Sequence, residues 1–285
     1  MTHPDFEKTF ARLFLEGALT PQALGRELGV SEAEAEAFKN HWDELLFVSL
    51  DKEREAKKQS GWAGLNPDPE RLALCRALSA EIAQVGQAFY GEEDFNYYSN
   101  AYLAENLYVF ATALAEAGEG SRPVRYLEVG VNKGVSALAV SKIAQALGCT
   151  VKITGVDPYF TDGYVEGVRR QIDKATRDQT LKFLAQAGVD FELVEASSRA
   201  AFRTLMRDDR AFEVIYIDGR HERLFPMADV GSYLSLLSPG GIYMLDDYFW
   251  RDVFQIKHLF DKHASKVCES WKIAAYRFRP EDDNY

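Results

Sequence analysis

Cysteine is scarce in this chain: Cys75, Cys149 and Cys268 are the only three among 285 residues, and no two form a CxxC pair. The odd count and the spacing argue against a disulfide framework or a thiolate metal site, and each cysteine reads as a small core residue of a reducing compartment. Positive charge is also in deficit, with 33 Lys and Arg against 44 Asp and Glu and a net charge of -11. Polyphosphate and nucleic-acid partners are held by Lys/Arg clusters, so that balance disfavours them. No apolar run approaches the ~18 residues a membrane helix requires. The opening MTHPDFEKTF lacks the basic-then-apolar order of a secretion signal. Internal repeats and low-complexity tracts are missing too. The expectation is a soluble, cytoplasmic protein with neither membrane nor nucleic acid as a partner.

What is present is enough apolar residue, 47% of the chain, to build a substantial core. Three regions separate by pattern. Residues 1–58 read as a helical, helix-turn-helix-like domain, and residues 59–121 as a Gly/Pro-rich linker followed by two helices that cover the site. Residues 122–285 read as the catalytic domain. From Pro123 onward, strand and helix alternate: VRYLEV, VKITGV, FELVEA, FEVIYID and GIYMLDD are short apolar runs with helical segments between them. Such alternation predicts an α/β fold, a mostly parallel sheet with helices on both faces. The tail KVCESWKIAAYRF predicts a closing hairpin at the sheet edge.

Ligands of such sheets sit at the carboxyl ends of the strands. The first strand ends LEVGVNKGVS, where Gly130 and Gly134 permit a tight turn and close backbone approach as a helix begins. Asn132 stands where a dinucleotide fingerprint has its second glycine, which disfavours a pyrophosphate ligand. Glu128, an acid inside this motif, needs a donor if buried, and an amino-acid ammonium is one. Asp157, ending GVDPY, is placed to accept from two ribose hydroxyls, and Ser197 and Ser198 in VEASS lie where an adenine would. Each alone is equally a capped loop or a solvated acid. Their joint placement at successive strand ends is what points to a nucleoside ligand.

In order and spacing, YLEVGVNKGVSALAVSKIA, GVDPY, VEASS, IYIDGRH and LSPGGIYMLDDY resemble the motifs of class I S-adenosylmethionine-dependent methyltransferases, in particular the group with catechol O-methyltransferase and the macrocin-type enzymes. The resemblance implies a Rossmann-like seven-stranded sheet preceded by a helical N-terminal region. It assigns Glu128, Gly130, Asn132, Gly134 and Ser136 to the methionine end of the cofactor, Asp157 to the ribose, and Ser197 and Ser198 to the adenine.

Asp218 ends the fourth strand, and Asp246 and Asp247 end the fifth. In the family's strand order these strands are neighbours, so three carboxylates converge and repel unless protons or a cation neutralise them. A hard divalent ion, Mg²⁺ or Mn²⁺, is the simple remedy, and matching residues bind Mg²⁺ in the resembling enzymes. His221 is the general-base candidate, since imidazole titrates near neutrality. Arg220 and Tyr248 are expected to flank the rim. An aspartate pair can equally cap the helix that follows, and His221 can simply hold its loop.

In the N-terminal region, the second helix of the helix-turn-helix pattern carries Glu32, Glu34, Glu36, Asp43 and Glu44 against Lys39 alone. Phosphates repel such a face, so the region is expected to form a homodimer or to cover the pocket. The expected activity is metal-dependent O-methylation of a small molecule with adjacent oxygens. A metal-free N-, C- or O-methyltransferase using His221, and a non-catalytic S-adenosylmethionine-sensing regulator, are the alternatives.

Overall fold

The structure is a computed structural model that describes residues 3–15, 18–42, 45, 52, 67–96, 102–118, 122–159, 174–219 and 225–278. It opens with α1 (Phe6–Leu15), α2 (Pro21–Leu28) and a helix over residues 32–42 (α3), then α4 (Pro69–Tyr90), α5 (Glu92–Asn96) and α6 (Ala104–Ala117). The alternating part follows as β1 (Val124–Val129), α7 (Val135–Ala146), β2 (Val151–Val156), α8 (Lys174–Gln186), β3 (Phe191–Val194) and α9 (Ser198–Arg207). It continues through β4 (Phe212–Ile217), α10 (Phe225–Leu234), β5 (Leu237–Leu245), α11 (Arg251–His263), β6 (Ser265–Glu269) and β7 (Ala274–Arg277).

All seven strands form one sheet in the order β3-β2-β1-β4-β5-β7-β6. The first five are parallel, and the closing hairpin is antiparallel, with β7 inserted against β5 and β6 outside it. The parallel strands are nearly continuous runs of buried residues, as expected for strands covered on both faces. Strand order reverses between β1 and β4, so the loops leaving their carboxyl ends diverge and open a crevice.

Successive side chains point to opposite faces, and two cores result. On one face Tyr126, Ile153, Val214, Tyr216 and Met244 pack with α4, α6, α7 and α8. On the other, Leu127, Val129, Ile215, Tyr243 and Leu245 pack with α9, α10, α11 and the N-terminal helices.

Those N-terminal helices are locally well specified. Thr20 accepts the Ala23 N–H at 3.0 Å, Gly29 ends α2 in the left-handed region, and Ser31 and Glu34 form a reciprocal capping box at the start of α3. Phe6, Phe10 and Trp42 cluster inward, Trp42 meets His258 of α11 edge-on, and Glu7 accepts from His258 and Lys262. The apolar faces of α1, α2 and α3 are thus spent within the chain, while Glu32, Glu34 and Glu36 face outward.

Candidate functional site

The loop after β1 is the cradle. Gly130 (φ 96°) and Gly134 (φ 71°) are left-handed, and a Cβ on Gly130 would stand 2.1 Å from the Asp218 carbonyl oxygen. Only glycine lets this loop pass so close to the end of β4. Asn132 is left-handed as well (φ 50°), a conformation asparagine tolerates better than most residues, which accounts for its place in a glycine-type motif. From the helical region before the sheet, the Tyr90 hydroxyl donates to the Lys133 carbonyl at 2.9 Å, and its ring lies under the Lys133 ammonium.

Glu128 is fully buried. One of its carboxylate oxygens accepts from the Ser136 hydroxyl, and the other, Oε2, has no partner among the described residues. Burial pushes this carboxyl well above the usual range; the Ser136 bond opposes the rise, and Asp218, Asp157 and Asp246 add to it. Asn132 Oδ1 is a second buried oxygen with no partner among the described residues. Two unmatched acceptors in a buried cradle cost stability unless a ligand supplies donors. An amino-acid ammonium has the required chemistry, so these residues fit the methionine end of S-adenosylmethionine.

Asp157 ends β2 and clamps the cradle. Its Oδ2 accepts the Val131 and Asn132 N–H groups, each at 3.0 Å, and Oδ1 accepts the Tyr159 N–H at 3.0 Å. A carboxylate has room for about four such bonds, which leaves capacity for a hydroxyl donor. Ser197 is exposed before α9. Ser198 turns its hydroxyl to Asp229 of α10, whose carboxyl burial pushes up to about 6 against the opposing Ser198 bond. Asp229 is a half-buried acid that sequence reasoning did not single out.

The second half of the site follows from the register of β4 and β5. Ile217 pairs with Leu245, so Asp218 and Asp246 leave neighbouring strands side by side, and the Asp246 N–H still donates to the Ile217 carbonyl at 3.0 Å. Asp247 is left-handed (φ 47°). Asp218, Asp246 and Asp247 each offer a carboxylate oxygen, all within 4.8 Å of one another. Burial pushes the Asp246 carboxyl up to about 7, helped by Asp218 and opposed by Lys272. Its Oδ1 is buried with no hydrogen-bond donor among the described residues. Converging carboxylate oxygens with one bare buried acceptor suit a hard divalent cation.

Lys272 is the residue that sequence reasoning missed. Its ammonium donates to Asp246 Oδ2 and lies 3.4 Å from Asp247 Oδ1. Burial would lower its pKa, but Asp246, Asp218 and Asp247 together raise it well above the ordinary lysine value, so it stays an ammonium and is no general base. Leu245 pairs with Ala274, which sets the β6–β7 turn beside the aspartates, and the Tyr248 N–H ties to the Lys272 carbonyl at 3.3 Å. Tyr248 itself corrects an expectation. It is fully buried and donates its hydroxyl to the Ser270 carbonyl at 2.7 Å, because the turn folds over it, so it does not line the rim. Arg220 and His221 lie outside the described residues.

A family model described as a methyltransferase domain matches residues 127–248, the stretch from within β1 to just past the aspartate pair. No curated protein matches the chain. Among solved structures, the SAH-bound O-methyltransferase from Bacillus cereus is 15% identical, covers 78% of this chain and 97% of its own, and has a TM-score of 0.44. For the SAH-bound Podospora anserina methyltransferase PaMTH1 the identity is 16%, the shares are 80% and 96%, and the TM-score is 0.46. CalS11, a TDP-rhamnose 3'-O-methyltransferase of calicheamicin biosynthesis, is 16% identical over 75% of this chain and 96% of its own, at a TM-score of 0.44.

Proposed function

We propose that the methyltransferase domain matched over residues 127–248 is of the class I S-adenosylmethionine-dependent type and that the protein methylates an oxygen of a small molecule bearing adjacent oxygens, with a divalent cation at Asp218, Asp246 and Asp247. The observation that carries the reading is the carboxylate trio at the ends of adjacent strands, next to the cradle of Glu128 and Gly130.

S-adenosylmethionine supplies the sulfonium methyl, and a divalent cation makes an acceptor hydroxyl more acidic. The chain's own residues do the rest. Glu128 and Asn132 offer their bare oxygens to the methionine end, and Asp157 offers remaining acceptor capacity to the ribose. Methyl transfer is a displacement, so holding donor and acceptor in line is most of what a protein contributes. His221, three residues beyond Asp218, is the proposed base. Trp250 and Trp271 are exposed on the two segments that the Tyr248–Lys272 bond joins, and they offer apolar surface to an acceptor ring.

The test is methyl transfer from labelled S-adenosylmethionine to a panel of catechols, vicinal diols, isolated hydroxyls and amines, using metal-stripped protein with and without added Mg²⁺ or Mn²⁺. The expected result is labelled O-methyl ether on an acceptor with adjacent oxygens, lost on stripping and restored by the ion. Transfer indifferent to metal, or directed to nitrogen, would replace this reading with the metal-free one.

A further inference from the structure

Three carboxylates face each other beneath the rim, and the protein has already placed one cation among them. Lys272 enters from the β6–β7 turn, bonds Asp246 Oδ2 and reaches Asp247 Oδ1 at 3.4 Å, while the other Asp246 oxygen, Oδ1, is buried with no donor among the described residues, and Asp218 lies against the same carboxyl. Asp246 therefore has two differently used sides, one against an ammonium and one open to a second cation. With all three acids ionised, one ammonium leaves two negative charges, the amount a divalent ion cancels.

We propose that Lys272 is a built-in cation that shares the aspartate site with the metal, holding the trio together when metal is absent and keeping the affinity for metal low enough for exchange. This rests on the metal reading above and adds a residue that a ligand set of three aspartates does not include. The physical basis is competition. An ammonium in contact with two of the three ligands repels an incoming divalent ion and occupies oxygens it would use. Removing the ammonium frees those oxygens and makes the net charge of the site one unit more negative.

The experiment compares Mn²⁺ binding to the wild-type protein, Lys272→Met and Lys272→Arg by electron paramagnetic resonance, alongside thermal melting with and without Mn²⁺. Lys272→Met is expected to bind Mn²⁺ about tenfold or more tightly than wild type. Its melting temperature should fall without metal and recover with Mn²⁺ by a larger margin than wild type gains. Lys272→Arg, which keeps the charge, should retain near-wild-type affinity. Equal or weaker Mn²⁺ binding by Lys272→Met would overturn the proposal while leaving the metal site in place. A Lys272→Met protein that neither folds alone nor gains stability from Mn²⁺ would overturn it equally. Absence of Mn²⁺ binding by wild type and both variants would remove the metal reading and this inference together, a result distinguishable by the missing wild-type signal.

Discussion

Replacing Glu128 by glutamine isolates the cradle's charge from its shape. The side chain is fully buried, its Oε1 accepts from Ser136, and Oε2 has no partner among the described residues. Glutamine keeps the size and can keep the Ser136 bond. Because burial holds the carboxyl well above the usual range, ionising it in the unliganded protein is disfavoured, and the neutral glutamine changes little there. The melting temperature of the unliganded variant should therefore stay within roughly 2 °C of wild type. Ligand binding is different. An ammonium arriving at Oε2 favours the ionised acid, and a hydrogen bond to a charged group is worth ~1.5–3 kcal/mol. Glu128→Gln should weaken S-adenosylhomocysteine binding roughly ten- to hundredfold. Calorimetry in two buffers of different ionisation enthalpy should also show that wild type releases a proton on binding and that the variant releases fewer. Wild-type affinity in Glu128→Gln, or equal proton release by both proteins, would refute the reasoning.

The two halves of the site should separate in mutants. Asp157→Ala removes the acceptor for two backbone N–H groups of the cradle and for that of Tyr159 and should lower S-adenosylhomocysteine affinity about tenfold or more, read by calorimetry. Asp247→Ala should cut turnover while leaving that affinity within about threefold; exchanged phenotypes would mean the halves are misassigned. Asp229 supplies a pH test. Its carboxyl is raised to about 6 in the folded protein, so ionising it costs stability. The native state holds the extra proton between about pH 4 and 6, stability falls as pH rises through that window, and the loss is complete above it. Asp229→Asn should therefore melt higher than wild type at pH 8, by up to ~3 kcal/mol in stability, with the gain gone by pH 4. A gain that is the same at both pH values would show that Asp229 ionisation is not its source.

Much of this was legible in the sequence, because strand-end chemistry travels with local patterns. The β1 motif specified its own turn through Gly130 and Gly134, and short buried runs such as FEVIYI can only be strands covered on both faces. The aspartate convergence required one long-range fact, the adjacency of β4 and β5, which the family's strand order supplied. Lys272 was not legible for the same reason inverted. It lies 25 residues past the aspartate pair in a hairpin turn, and only the insertion of β7 between β5 and β6 brings it back. That strand order, applied to the tail, was the signal available for it. Asp229 had none: an acid within a helix pattern reads as solvated until its bond to Ser198 and its partial burial set it apart. Tyr248 was misplaced because proximity in sequence to Asp247 says nothing of the turn that covers it.

The central claim is that methyl donor and acid cluster share one edge of the sheet, and paramagnetic relaxation measures that directly. With ¹³C-methyl S-adenosylmethionine bound, replacing Mg²⁺ by Mn²⁺ should broaden the methyl resonance strongly in wild type and leave it sharp in the Asp218→Ala/Asp246→Ala/Asp247→Ala variant. A wild-type protein that binds both Mn²⁺ and the donor, yet keeps a sharp methyl line, would contradict the account.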